Sequence, residues 1–168
     1  GTQHGGILVD FNAVKGGIEI IPLDNDWQKA AHVYSDEVLI SHRTDAEKGT
    51  PKFERGKSLS DHQCEMIYIS GTAAIRGEES IVTGDVLVQT EITLENIQHL
   101  IGLEEGREKL PEHSGKLELL RVYLKHEEDA KIVKEDMDKL CPDVPIVYLY
   151  ADVCREELLV EIEGIAYL

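Results

Sequence analysis

The sequence predicts an α+β fold in which one sheet is covered on a single face by two helices. Three observations carry this. Two segments repeat apolar residues at helical spacing, and several shorter ones alternate or are apolar throughout. Their order is β–β–α–β–α–β–β, without an internal repeat. Each helix is apolar along one stripe only, so both must bury that stripe against the same face of the sheet. With 168 residues and 42% hydrophobic content, the chain can build one ordinary core, with or without an appendage.

In chain order, "GILVDFNAV" and "GIEIIPL" read as two short strands hinged at Lys15-Gly16-Gly17, a hairpin turn. "DNDWQKAAHVYSDEVLISH" fits either a helix or extended structure. The polar, turn-rich "RTDAEKGTP" (Arg43–Pro51) marks a boundary. Residues 1–50 are therefore expected to be an N-terminal extension, the remnant of a preceding domain, and residues 51–168 the main domain. "CEMIYISGTAAI" is apolar on both faces, as a buried strand would be, and Arg76-Gly77-Glu78-Glu79 turns the chain. "TGDVLVQTEITLENIQHLIG" reads as a helix: Leu87, Thr90, Leu94, Ile97 and Ile101 share one face, Asp85 stands near the start and Gly102 ends it. "LEEGREKLPEHSG" is a charged loop and "KLELLRVYLK" a strand. In "HEEDAKIVKEDMDKLCP", Ala130, Val133, Met137 and Leu140 make the inner stripe of a second helix, with Glu127, Glu128 and Asp129 at its positive end. "PIVYLYADV" and "LLVEIEGIAYL" are the last two strands.

Composition narrows the function. The chain carries 33 acidic and 17 basic residues, a net charge of −16. Phosphate-tracking proteins bind through basic patches, so nucleic acid is not an expected partner. No apolar run approaches the ~20 residues of a membrane span. Three widely spaced cysteines without Cys-x-x-Cys suit a reducing, cytoplasmic setting. No zinc-ligand spacing, P-loop or dinucleotide fingerprint occurs, so neither metal nor cofactor is expected. His62 and Cys64 are the only close His/Cys pair, and nothing completes a ligand set with them. The other histidines (His4, His32, His42, His99, His113, His126) are scattered, mostly in polar context, and read as surface residues.

The last strand poses the functional question. Leu158, Val160, Ile162, Gly164 and Ala166 form its core face, leaving Glu161 and Glu163 on the other face just after Cys154-Arg155. An arginine beside a cleft suits bidentate capture of a carboxylate. A glutamate against an apolar wall can hold its proton and act as a general acid. A solvated strand face with ordinary ion pairs has the same appearance, and the residues alone leave both readings open.

"ISGTAAIRGEESIVTGDVLVQTEITLENIQHLI", "VYL" and "ADVCREELLVEIEGIA", in that order, resemble the Rid (YjgF-like, endoribonuclease L-PSP) family from Pro51 to Leu168. The resemblance implies a chorismate-mutase-like fold with a six-stranded mixed sheet and two helices on one face. It also implies a homotrimer with ligand clefts between subunits. Rid deaminases hydrolyse small enamines and imines, using a glutamate of the last strand that matches Glu161. Their carboxylate-binding arginine falls on Tyr148, a helix asparagine on Lys134 and an N-terminal tyrosine on Phe53, so the chain departs from the deaminase pattern. "SGTAAIRGEES", preceded by "FER" and followed by "ADVCREELLVEIEG", looks more like the C-terminal half of the chorismatases, which hydrolyse chorismate and release pyruvate. In that group the match to Glu161 is the acid, and the subgroup making 3-hydroxybenzoate has a cysteine where Cys154 stands.

The resemblance thus implies a chorismatase-like hydrolase of a small enol or imine carboxylate at an inter-subunit cleft. Glu161 and Cys154 would be catalytic. Arg155, Tyr148, Phe53, Arg55, Gly71, Thr72 and Lys134 would bind the substrate. The runner-up is a catalytically silent Rid-fold protein that binds a small metabolite. A ribonuclease activity rests on the family's historical label alone, and the acidic charge opposes it.

Overall fold

Alternation sets the centre of the sheet. In the last strand, β8 (Val160–Tyr167), residues 160, 162, 164 and 166 are buried while 161, 163 and 165 are partly exposed. A computed structural model describes residues 11–38, 49–62, 64–102 and 116–167. The other strands of the main sheet are β1 (Glu19–Leu23), β2 (Gly56–Ser60), β3 (Glu65–Thr72), β6 (Lys116–Leu124) and β7 (Ile146–Tyr150). A small separate hairpin is formed by β4 (Ile75–Arg76) and β5 (Glu79–Ser80), turning at Gly77 with φ +58°. The six-stranded order is β1-β2-β3-β8-β6-β7, antiparallel except for the parallel β6–β7 pair. The sheet is therefore mixed, as the family resemblance implies. Gly164 lets β8 lie close to β6, since a Cβ there would stand 2.5 Å from the Leu119 carbonyl oxygen.

Both helices lie on one face. α1 (Val86–Leu100) and α2 (Ala130–Leu140) send Val86, Leu94, Ile97, Val133 and Met137 into a core shared with Ile67, Ile69, Leu120, Val122, Leu124, Val160 and Ile162. Asp85 caps α1 by accepting hydrogen bonds from the Leu87 and Val88 amides, and Gly102, at φ +74°, follows its end. The stripe expected on α2 needs one correction. Leu140 is 44% exposed and Cys141 is buried in its place. The helix ends at Leu140, so the next residue leaves the helical path and turns inward.

The N-terminal region differs from the sequence reading. Gly16 and Gly17 do turn, with φ of +47° and +77°. The described residues before them form no strand, however, and β1 pairs with β2 instead. Among its described residues, the ambiguous segment after β1 holds a short 3-10 turn at Ala31–Val33 and an isolated bridge from Gln28 to Gly77. β1 comes from the first fifty residues, yet it is the edge of the same sheet as β2. Most of the Arg43–Pro51 boundary and the charged loop 103–115 lie outside the described residues. His99, read as a surface residue, is buried. Its Nε2 lies 2.5 Å from Asp26 Oδ1 and its ring stacks on Trp27.

Candidate active site

The uncovered face of β8 meets two irregular segments at one end. The β3–β8 register shifts between Ile69 and Thr72, which opens the pairing beside Glu161. The link between β7 and β8 brings up Cys154 and Arg155, and the chain around Tyr34 and Pro51–Arg55 closes the far side. Together they bound a cleft of about 440 Å³.

Glu161 stands on its wall, partly buried, and makes no hydrogen bond or ion pair with any described residue. Burial, and next the charge of Glu163, push its carboxyl above the usual range. Gly71 makes room for it: a Cβ on residue 71 would lie 2.2 Å from Glu161 Oε1. Glu163, two residues along the same face, is differently placed. It accepts a hydrogen bond from the Tyr123 hydroxyl at 2.6 Å and pairs with Arg121 Nε at 3.2 Å. Local geometry thus separates two carboxylates that look alike in sequence, one unpaired in the cleft and one anchored outside it.

Two buried arginines supply positive charge. Arg155 Nη1 donates to the Glu78 carbonyl (2.8 Å) and to Ser80 Oγ (3.0 Å), which ties it to the β4–β5 hairpin. Arg55 Nη2 donates to the Lys29 carbonyl and to the Tyr34 hydroxyl, and its Nε is buried with no hydrogen-bond partner. The Tyr34 ring has both guanidiniums beside it, at 5.5 Å and 5.7 Å, and Arg55 also lies 5.3 Å from the Phe53 ring. Each arginine is thereby fixed by one terminal nitrogen. Cys154 is solvent-accessible, yet its thiol is pushed up by partial burial and then by the Glu161 charge, with Arg155 opposing. It faces the cleft as a neutral thiol rather than as a ready thiolate.

Of the residues expected from the sequence, Glu161, Cys154, Arg155, Phe53, Arg55 and Gly71 line this cleft. Three do not. Thr72 is buried beside it, its hydroxyl donating to the Ser70 carbonyl. Tyr148 is in register with Val122 and so shares the helix-covered face, opposite Glu161. Its hydroxyl is pushed up to about 12, chiefly by burial. Lys134 is exposed on α2, in the helix layer. Sequence reasoning missed Tyr34 and Ser70 in the lining: Tyr34 sits in no motif or periodic run, and Ser70 opens the "SGTAAIRGEES" stretch, in which only Gly71 and Thr72 were singled out.

It also missed how α1 fixes the site. Gln89, fully buried, donates to the Glu157 carbonyl at 2.9 Å and accepts from the Leu159 amide at 2.8 Å. It thus clasps the bend between Arg155 and Glu161. Asn96 donates to the Ala73 and Ile75 carbonyls, holding the wall opposite. The signal was a run of polar residues, Gln89, Thr93 and Asn96, at helical spacing next to the apolar stripe. Among the described residues no cluster of three His, Cys, Asp or Glu side chains is placed to hold a metal ion. No described helix is long and apolar enough to cross a membrane.

No protein-family model matches the chain. Across 98% of its length it is 32% identical to a chorismatase of Streptomyces rapamycinicus, of which it spans 48%. It is 31% identical to a 3-hydroxybenzoate synthase of Streptomyces hygroscopicus, with the same two shares. The chain thus spans about half the length of the curated relatives it matches. A chorismatase crystal structure superposes with a TM-score of 0.70 and 28% identity, over 88% of this chain and 43% of that one. The YjgF gene product of E. coli superposes with a TM-score of 0.56 at 15% identity, over 87% of this chain and 97% of that one. This last likeness is one of fold alone.

Proposed function

We propose that this chain, which has the Rid/YjgF fold and matches about half the length of a chorismatase, is the site-bearing part of a chorismatase-like hydrolase acting on an enol-ether carboxylate. The observation that carries the reading is Glu161. An unpaired carboxyl with a raised pKa faces a cleft that holds two buried arginines. A carboxyl that holds its proton more tightly than usual can deliver it to the methylene carbon of an enol ether. The resulting oxocarbenium carbon takes up water, the proton returns to solvent or to Glu161, and the carbon–oxygen bond breaks to leave pyruvate and an alcohol. Arg155 and Arg55, each with guanidinium N–H groups left over, hold the carboxylates of the substrate. Cys154, as a neutral thiol, shapes the wall beside the acid. The reading includes assembly as a homotrimer, which the family resemblance supports, and a cytoplasmic setting, which the free cysteines Cys64, Cys141 and Cys154 suit.

The test is pyruvate release from chorismate by the intact protein. Glu161→Gln is expected to lower the rate by at least about a hundredfold, the usual contribution of a positioned acid, with a melting temperature no lower than that of the wild-type protein. No pyruvate from the wild-type protein, together with chorismate-induced thermal stabilisation, would favour the second reading, a Rid-fold protein that binds the metabolite without turning it over. The departure at Tyr148, where the deaminases carry their arginine, supports that second reading against a deaminase.

A further inference from the structure

Glu163 remains outside this mechanism, yet it is tied down more firmly than the acid itself. Its carboxylate accepts a hydrogen bond from the Tyr123 hydroxyl at 2.6 Å and forms an ion pair, not a hydrogen bond, with Arg121 Nε at 3.2 Å. Tyr123 is the register partner of Glu161 and Arg121 that of Glu163. The two residues that pin Glu163 therefore stand on the same exposed sheet face, directly across from the two carboxylates. Side chains two apart on a strand project to one side about 7 Å from each other. At that distance, beside a partly desolvated carboxyl, a fixed negative charge opposes a second ionisation.

We propose that Glu163 is a positioning residue for the reaction assigned above: fixed in place by Tyr123 and Arg121, it keeps Glu161 in the protonated, proton-donating form. The inference rests on the acid role given to Glu161. The other titratable or charged groups facing Glu161 are Tyr123 and Arg121 from β6, Cys154 and Arg155 from the link, and Arg55 and Tyr34 from the segment closing the cleft. The arginines favour ionised Glu161, and burial and the Glu163 charge both oppose them. Arg155 and Arg55 are themselves turned toward carbonyl and hydroxyl oxygens, whereas Glu163 has its charge fixed in place. The order of causes for Glu161, burial first and Glu163 second, agrees with this. Tyr123, pushed up to about 12 by burial and then by Glu163, stays a donor at neutral pH and does not release the clamp.

The experiment is a 13C NMR titration of the Glu161 carboxyl carbon in the intact, ligand-free chain, compared with Glu163→Gln. The Glu161 midpoint is expected to move to lower pH in the variant, and the basic limb of the pyruvate-release profile to move with it. An unchanged or raised midpoint overturns the proposal. Should Glu163→Gln not fold, Glu163→Ala, which also removes the charge, carries the test: the midpoint is again expected to fall, and an unchanged or raised midpoint overturns the proposal. The carboxyl titration needs no substrate. A midpoint shift without pyruvate release would therefore sink the hydrolase reading and leave the electrostatic clamp standing.

Discussion

Glu161 and Glu163 differ by one turn of the strand's alternation and share a face, so their roles separate only through their neighbours. Glu163 has a phenol and a guanidinium, and Glu161 has Gly71 and open cleft. The partly buried acid should weaken the fold. A carboxyl whose folded pKa lies above its unfolded one binds more protons in the folded state, so stability falls as pH rises through the interval between the two. For Glu161 that interval opens at the ordinary value of 4.5 and closes at the raised one. Glu161→Gln cannot ionise. Its melting temperature is expected to exceed that of wild type at about pH 7, with the gap closing toward about pH 4. Scanning calorimetry across that range would show it, and a constant gap would mean that Glu161 ionises no less readily in the folded chain than in the unfolded one. A site that trades stability for function in this way is common.

Among the elements, α1 does two jobs. Its apolar stripe packs on the sheet, and Gln89 and Asn96 reach beyond the sheet to hold the two irregular segments that carry cleft residues. Such segments lack a ladder of their own, so a buried amide supplies the missing partners. Gln89→Met keeps the volume but leaves the Glu157 carbonyl and the Leu159 amide unpaired. It is expected to cost about 2–4 kcal/mol, read from urea unfolding. The periodic elements were legible: β3, β6, β8, α1 and the body of α2 follow from runs long enough to show their period. β2 was not, because Gly56-Lys57-Ser58-Leu59-Ser60 has a single large apolar residue. It is a strand because β1 and β3 pair with it on either side.

At the scale of the molecule, the described residues 19–34 are worked into the site. β1 covers the edge of β2. Asn25 donates to the Asn96 carbonyl, Gln28 to that of Ile75, and Tyr34 lies beside both arginines. A chain beginning at Gly49 would bare that edge and lose the Tyr34 wall. It is expected to melt lower and to bind chorismate at least about tenfold more weakly, the equivalent of 1.4 kcal/mol. Calorimetric titration measures the second effect, and undiminished affinity would show that the wall contributes nothing to the ligand. The net charge of −16 makes the pair of buried arginines more telling, because cationic side chains are the minority here.

The sequence by itself determined the order of the long elements β3, α1, β6, α2, β7 and β8, the face of β8 that enters the core, and the residue types able to do acid chemistry beside a carboxylate anchor. Periodicity and spacing are local, and a single chain records them directly. Tertiary structure alone decided which of two neighbouring glutamates stands free. It also turned Tyr148 to the helix side and put Tyr34 between two arginines. Those outcomes depend on pairing register and on contacts between segments far apart in the chain, and no local pattern encodes a distance between two strands that have yet to meet.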